Sequence, residues 1–217
     1  MADKEKKVKD GENDVQEKES KEQIKGENKI LKIILILIGV IVVLGLGGYL
    51  FIDNVRHFDY LGVDYEVVKF CDTEPCLILY QTSLPVVHNG VRTDYNFYLR
   101  NDPRELETVE FDGDITLLPE MIINSTGDFN CDGDGVIAIA NLVQLYEVVG
   151  TKVMRNESIQ CDLLGGHTFI QIQEGDETRI NKFGVSCYEI NVNNCEILEG
   201  TEKFMIKSLA EVQKLLN

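Results

Sequence analysis

The residues best spaced for chemistry lie near the middle of the chain, in Gly127-Asp-Phe-Asn-Cys-Asp-Gly-Asp-Gly135. Written as Asn130-x-Asp132-x-Asp134-Gly135-x-Ile137-x-x-x-Asn141, the run places side-chain oxygens at positions one, three, five and twelve of a twelve-residue loop. Glycine falls at six and an aliphatic at eight. Calcium is a hard cation that takes oxygen ligands, and this spacing converges such oxygens on one centre. Asn130 and Asn141 are neutral, so Asp132 and Asp134 supply the charge, with Asp128 nearby. The same residues also read as a turn that caps a helix, with Asp134 near a helix start, where an acid is favourable.

On these residues the run resembles the EF-hand-like calcium loops of dockerin modules, whose twelfth position is Asp or Asn followed by Leu, as in Asn141-Leu142. The resemblance implies calcium held by Asn130, Asp132, Asp134 and Asn141. It covers about thirteen residues. Dockerins pair two such loops, and the sequence contains one.

The six cysteines are the second constellation: Cys71, Cys76, Cys131, Cys161, Cys187 and Cys195. Their spacings do not repeat a ligand pair, which argues against zinc, and Cys71 and Cys76 stand too far apart for the C-x-x-C redox motif. An even number, all of it after the apolar stretch that ends at Ile52, suits disulfides in an oxidising compartment. Six cysteines allow fifteen connectivities. Proximity suggests Cys71 with Cys76 and Cys187 with Cys195, leaving Cys131 to Cys161.

Sets for catalysis are thin, and no catalytic residue is assigned. His57, His88 and His167 are the only histidines, and none is spaced to activate a cysteine. Gly165-Gly166-His167-Thr168 is explained by a turn into a strand. Asn124-Ser-Thr126 and Asn156-Glu-Ser158 are N-glycosylation sequons, which place Asn124 and Asn156 on a surface if the segment lies outside a cell that glycosylates.

These groups must be carried by a folded body, and the chain first supplies a tether. Ile33 to Ile52 (IILILIGVIVVLGLGGYLFI) holds no charge. As a helix it measures about 30 Å, the thickness of a bilayer's hydrocarbon core. It is longer than the apolar core of a cleavable signal and begins too far along the chain. Lys25, Lys29 and Lys32 precede it and Arg56 alone follows closely, so the positive-inside bias puts the N-terminus in the cytoplasm and the rest outside. Residues 1–29 carry few large aliphatics and read as a disordered charged tail.

Divided at this stretch, the charge is lopsided. Through Lys32 there are nine lysines against nine Asp and Glu. From Asp53 onward there are twelve Lys and Arg against twenty-eight Asp and Glu, so the whole net charge of −16 falls on the later residues. Such a surface repels nucleic acid and anionic lipid, and attracts cations or basic partners.

Residues 53–217 suffice for one domain with a core. Segments 65–70, 77–84, 86–91, 95–99, 107–111, 115–118, 121–123, 152–154, 168–173 and 186–192 read as strands, with Asn89-Gly90 as a hairpin turn. Val136, Ile139, Ala140, Val143 and Tyr146 recur at helical spacing up to Gly150, and Lys207 to Leu216 reads as an amphipathic closing helix. Strand, helix and strand across 121–154 predict a βαβ crossover, so the fold class is α/β with a mixed sheet. The expected organisation is a tail at 1–29, a transmembrane signal-anchor helix at 30–52 and an extracytoplasmic domain at 53–217.

The runs YNFYLRNDPRELE, IAIANL and CYEINVNNCEILEGTEKF resemble uncharacterised archaeal single-span surface proteins over most of residues 60–205. That resemblance implies architecture and location, and no functional residue. The leading expectation is a membrane-anchored binding or structural module of the cell surface with a protein or envelope partner. The alternatives are a calcium-stabilised ligand- or polymer-binding module, or a surface hydrolase or redox enzyme.

Overall fold

In a computed structural model of the chain, the described residues are 32, 34–50, 55–71, 75–88, 90–155 and 159–216. The expected tail, Ile33 and the Phe51-Ile52 end of the apolar stretch lie outside them. The chain divides into two compact units, one reaching to Val55 and one from Arg56 onward.

The first unit contains helix α1, residues 34–50, whose aliphatic side chains are all exposed. Among the described residues no helix is long and apolar enough to cross a membrane. The described helix is about 25 Å long, somewhat under a bilayer's apolar core.

The second unit is α/β, as the sequence predicts, and contains two sheets. The first is an antiparallel meander, β1 (His57–Tyr60), β2 (Val63–Phe70), β3 (Leu77–His88) and β4 (Val91–Leu99), in that order. His88 pairs directly with Val91, which closes the expected two-residue hairpin. Gly90 takes the left-handed φ of +77° that such a turn requires, and Asn89 lies outside the described residues. The partners of β3 are unequal in reach. β4 pairs with it from Tyr80 to His88, while β2 stops at Gln81.

The second sheet is mixed, in the order β5-β9-β10-β8-β6-β7. Its strands are β5 (Glu110–Asp112), β6 (Glu120–Thr126), β7 (Lys152–Met154), β8 (Thr168–Glu174), β9 (Arg179–Lys182) and β10 (Cys187–Val192). β6 and β7 are parallel neighbours joined through helix α2 (Asp134–Val148), so the predicted βαβ crossover is present. Residues 115–118, expected as a strand, join no ladder. Side chains bond the backbone there instead: Thr116 N–H donates to Tyr188 Oη, and Thr168 Oγ1 donates to the Thr116 carbonyl at 3.3 Å.

The closing helix α3 spans Ile197–Leu216, ten residues more than its periodicity suggests. Its first half hides behind Gly200 and the polar run Thr201-Glu202-Lys203, all buried. An amphipathic reading fails there because α3 is covered on several sides, by β10, by α2, and by β2 with the 3-10 turn Glu105–Thr108. Gly200 permits the close approach to the sheet, since a Cβ there would stand 2.9 Å from Ile190. Phe204 lies at the centre, with ring centroids 5.1 Å from Tyr188, 6.1 Å from Phe111 and 6.3 Å from Tyr146.

Because Phe204 is fully buried among these rings, Phe204→Ala removes contacts that cannot close up. The expected loss is about 3–5 kcal/mol, read as a lower urea midpoint.

Candidate functional site

Of the four residues expected to hold calcium, Asn130 and Asp132 precede helix α2, Asp134 opens it and Asn141 lies within it. Asn130 O accepts from Gly133 N–H at 2.7 Å, and Cys131, Asp132 and Gly133 follow with φ of 44°, 55° and 98°. Helix α2 begins at Asp134, the fifth position of the expected loop, rather than near its end. Asn141 therefore lies seven residues into a helix, about 10 Å further along. Its amide donates to the Tyr98 carbonyl at 3.4 Å on the edge of β4. Asp134 is spent as well, its Oδ1 holding Arg100 Nη1 at 2.8 Å. Gly135 has a reason unrelated to metal: a side chain there would collide with the Phe129 carbonyl. Among the described residues no group of three or more His, Cys, Asp or Glu is arranged to hold a metal ion.

The cysteines are all bonded, as Cys71–Cys76, Cys131–Cys195 and Cys161–Cys187. The first pair is the one expected. The expected Cys187–Cys195 and Cys131–Cys161 bridges are corrected, because proximity in sequence misjudges the topology. Cys187 opens β10 and Cys195 follows its end, so strand β10 holds them at opposite ends. Cys195 instead meets the start of α2, and Cys187 meets the loop before β8. With every thiol bonded, no cysteine can serve a histidine as nucleophile. Ser186 is not free either, since its hydroxyl donates to the His167 carbonyl at 2.7 Å.

The Asn124 sequon falls on a buried asparagine. Asn124 lies inside β6, is 7% exposed and donates to the Ile159 carbonyl at 3.1 Å. A glycan has no room there. Asn156 lies outside the described residues.

Two features go beyond what the sequence reading assigned. The first is the fastening of Arg100-Asn-Asp-Pro-Arg104, which the sequence reads as a turn with Asp102 before Pro103 as the start of a short helix. Glu202, at 0% exposure, accepts from the backbone N–H of Arg100 at 2.7 Å and of Asn101 at 3.0 Å, and from the Asn101 amide at 2.9 Å. Asp102 grips Arg104 through both carboxylate oxygens, at 2.9 and 2.6 Å, and the guanidinium lies 4.1 Å over the Phe58 ring. Burial pushes the Asp102 carboxyl up, but hydrogen bonds from Arg104 and Tyr80 outweigh it and hold it below the usual range. At Glu202 burial wins over the three donors, with Glu199 adding to it, and the carboxyl is pushed up to about 7. Lys203 gives Glu202 no counter-charge, for its ammonium donates to the Leu106 carbonyl at 2.8 Å.

The second feature is a groove of about 580 Å³, within the ordinary range of binding sites. It is bounded by Leu84 to Val87 of β3, Leu117 to Pro119, Val148 to Thr151 at the end of α2, and Val212, Leu215 and Leu216 of α3. A single cavity touching four consecutive strand residues must run along the strand's edge, because alternate side chains point to opposite faces. That edge is the stretch of β3 beyond Gln81 that β2 leaves unpaired. The only side-chain hydroxyl in the lining, on Thr151, already donates to the Leu118 carbonyl at 2.9 Å. The groove therefore offers hydrocarbon and one strand edge. Its sequence signal was Pro85, which supplies no N–H to a ladder and belongs on an edge.

No protein-family model, curated protein or solved structure matches the chain.

Three outcomes follow from this geometry. Calcium or chelator leaves the melting temperature unchanged, because Asp134 is paired and Asn141 is remote. Replacing Cys131 and Cys195 by serine, which frees a span of 64 residues, costs about 4 kcal/mol in denaturant unfolding. The Glu202 pKa is raised on folding, so its contribution is full below the ordinary value of 4.5 and is lost as pH rises through about 7. Stability should decline by about 3 kcal/mol across that window, and Glu202→Gln should flatten the slope.

Proposed function

We propose that the chain is a membrane-anchored, extracytoplasmic binding module that acts by engaging a partner rather than by catalysis. The observation that carries this reading is the set of three disulfides, all in the unit that follows the apolar stretch. Disulfides persist in oxidising compartments. The uncharged run from Ile33 to Ile52 supplies enough apolar length to anchor that unit, and the lysines before it favour a cytoplasmic N-terminus. The groove along β3 is the surface for engagement, being apolar, open and lined by residues with no free reactive group.

The anchoring is tested by alkaline extraction of membranes from cells expressing the full chain, with protease added to intact cells. The expected result is protein retained in the membrane pellet, with the C-terminal unit cut from outside. Release into the alkaline supernatant would reject the anchor, and protection of the C-terminal unit in intact cells would reject the orientation.

A further inference from the structure

The groove and the strand edge beside it have one geometry in common, which names the shape of the partner. We infer that the groove takes an extended peptide segment of a basic protein, added as a strand along residues 83–87 of β3. The inference rests on the proposed role of the groove as the binding surface.

The edge sets the register. The ladder between β3 and β4 continues past Pro85, which pairs with Asp94. Proline cannot donate, so in this ladder the backbone of Pro85 faces away from β4. Ser83 and Val87, two residues away on either side, face the same way, and both are exposed. They offer an N–H and a carbonyl each, and Pro85 adds a carbonyl. The opposite wall offers little. Pro119 has no N–H, and the carbonyls of Leu118 and Pro119 already accept from Thr151 Oγ1 and Lys152 N. An incoming strand is thus held by main-chain hydrogen bonds on one side only, and its side chains must fill the hydrocarbon groove. This is strand addition, with the edge supplying affinity and the groove specificity.

Pro85 interrupts the row of donors, a device that blunts edges against indiscriminate pairing. A segment without good aliphatic side chains gains too little from Ser83 and Val87 alone. Charge selects further. The second unit carries a large excess of acids, so a segment flanked by Lys or Arg is drawn in and an acidic one repelled. A hydrocarbon ligand would fill the groove yet leave the edge unused.

The test selects displayed random peptides against the full chain in phosphatidylcholine nanodiscs, with empty nanodiscs subtracted. Enrichment of alternating aliphatic residues flanked by Lys or Arg is expected. A synthetic copy should slow amide exchange at Ser83 and Val87. It should bind about tenfold more weakly to Val87→Pro, which removes a free edge donor, and to Leu215→Glu, which puts a charge in the groove. Val87 and Leu215 are 74% and 77% exposed, so neither change attacks the core, and thermal melts of both variants verify folding. Leu164→Gln, at a 93% exposed site elsewhere, should leave binding unchanged. No enrichment, enrichment of acidic peptides, or equal binding to Val87→Pro would overturn the inference. Labelling of the groove by a photoreactive hexadecanol that selected peptides fail to displace would overturn it in favour of a lipid. None of these outcomes depends on alkaline extraction, so the anchoring stands or falls separately.

Discussion

The second unit depends on one buried carboxylate. Glu202 sits on the central helix at 0% exposure and fixes the turn through which the chain passes from the meander to the mixed sheet. Three N–H groups converge on it from two residues, so both the position and the direction of the chain are set there. The neighbouring side chains extend the grip outward, Arg100 to Asp134 on α2 and Arg104 to Phe58 on β1. Removing a partner from such a buried network leaves its other members unpaired, which costs more than the bond itself.

Around this point the two sheets enclose the helices between them. Tyr65, Leu84, Phe97 and Leu99 of the meander join the same core as Ile170, Ile172, Tyr188 and Ile190 of the mixed sheet. A smaller cluster of Ile122, Phe169 and Cys187 lies on the other face of the mixed sheet, under the segment that carries Cys161. The Cys161–Cys187 bridge thus secures a cover that few apolar contacts would hold. The groove arises from the same architecture. β2 follows β3 only to Gln81, and the ends of α2 and α3 close the space beyond without supplying a strand.

Much of this order can be read in the sequence where the signal is local. The hairpin at Asn89-Gly90, the β6–α2–β7 crossover and the Cys71–Cys76 bridge each need only short-range information. What the sequence hides is tertiary. Gly200 and Glu202 look like a helix breaker and a surface residue until the sheet that crowds one and the turn that binds the other are in place. Residues of the calcium pattern likewise have tertiary contacts that the spacing does not show. Its glycine answers to the Phe129 carbonyl, its second aspartate to Arg100, and its last asparagine to the edge of β4. The two misassigned bridges fail because a strand's length separates neighbours in sequence.

The placement of the bridges also bears on how the unit would yield to a pulling force. A load applied at Arg56 reaches β1 first, a four-residue edge strand paired with β2 alone. When antiparallel neighbours are pulled from one end, their hydrogen bonds break singly and in sequence, so this ribbon peels at low force. Cys131–Cys195 shortcuts every residue between the start of α2 and the start of α3, and that stretch cannot lengthen while the bridge is intact. The protein would therefore give way from β1 onward, and the 64-residue span inside the bridge would add its length only on reduction.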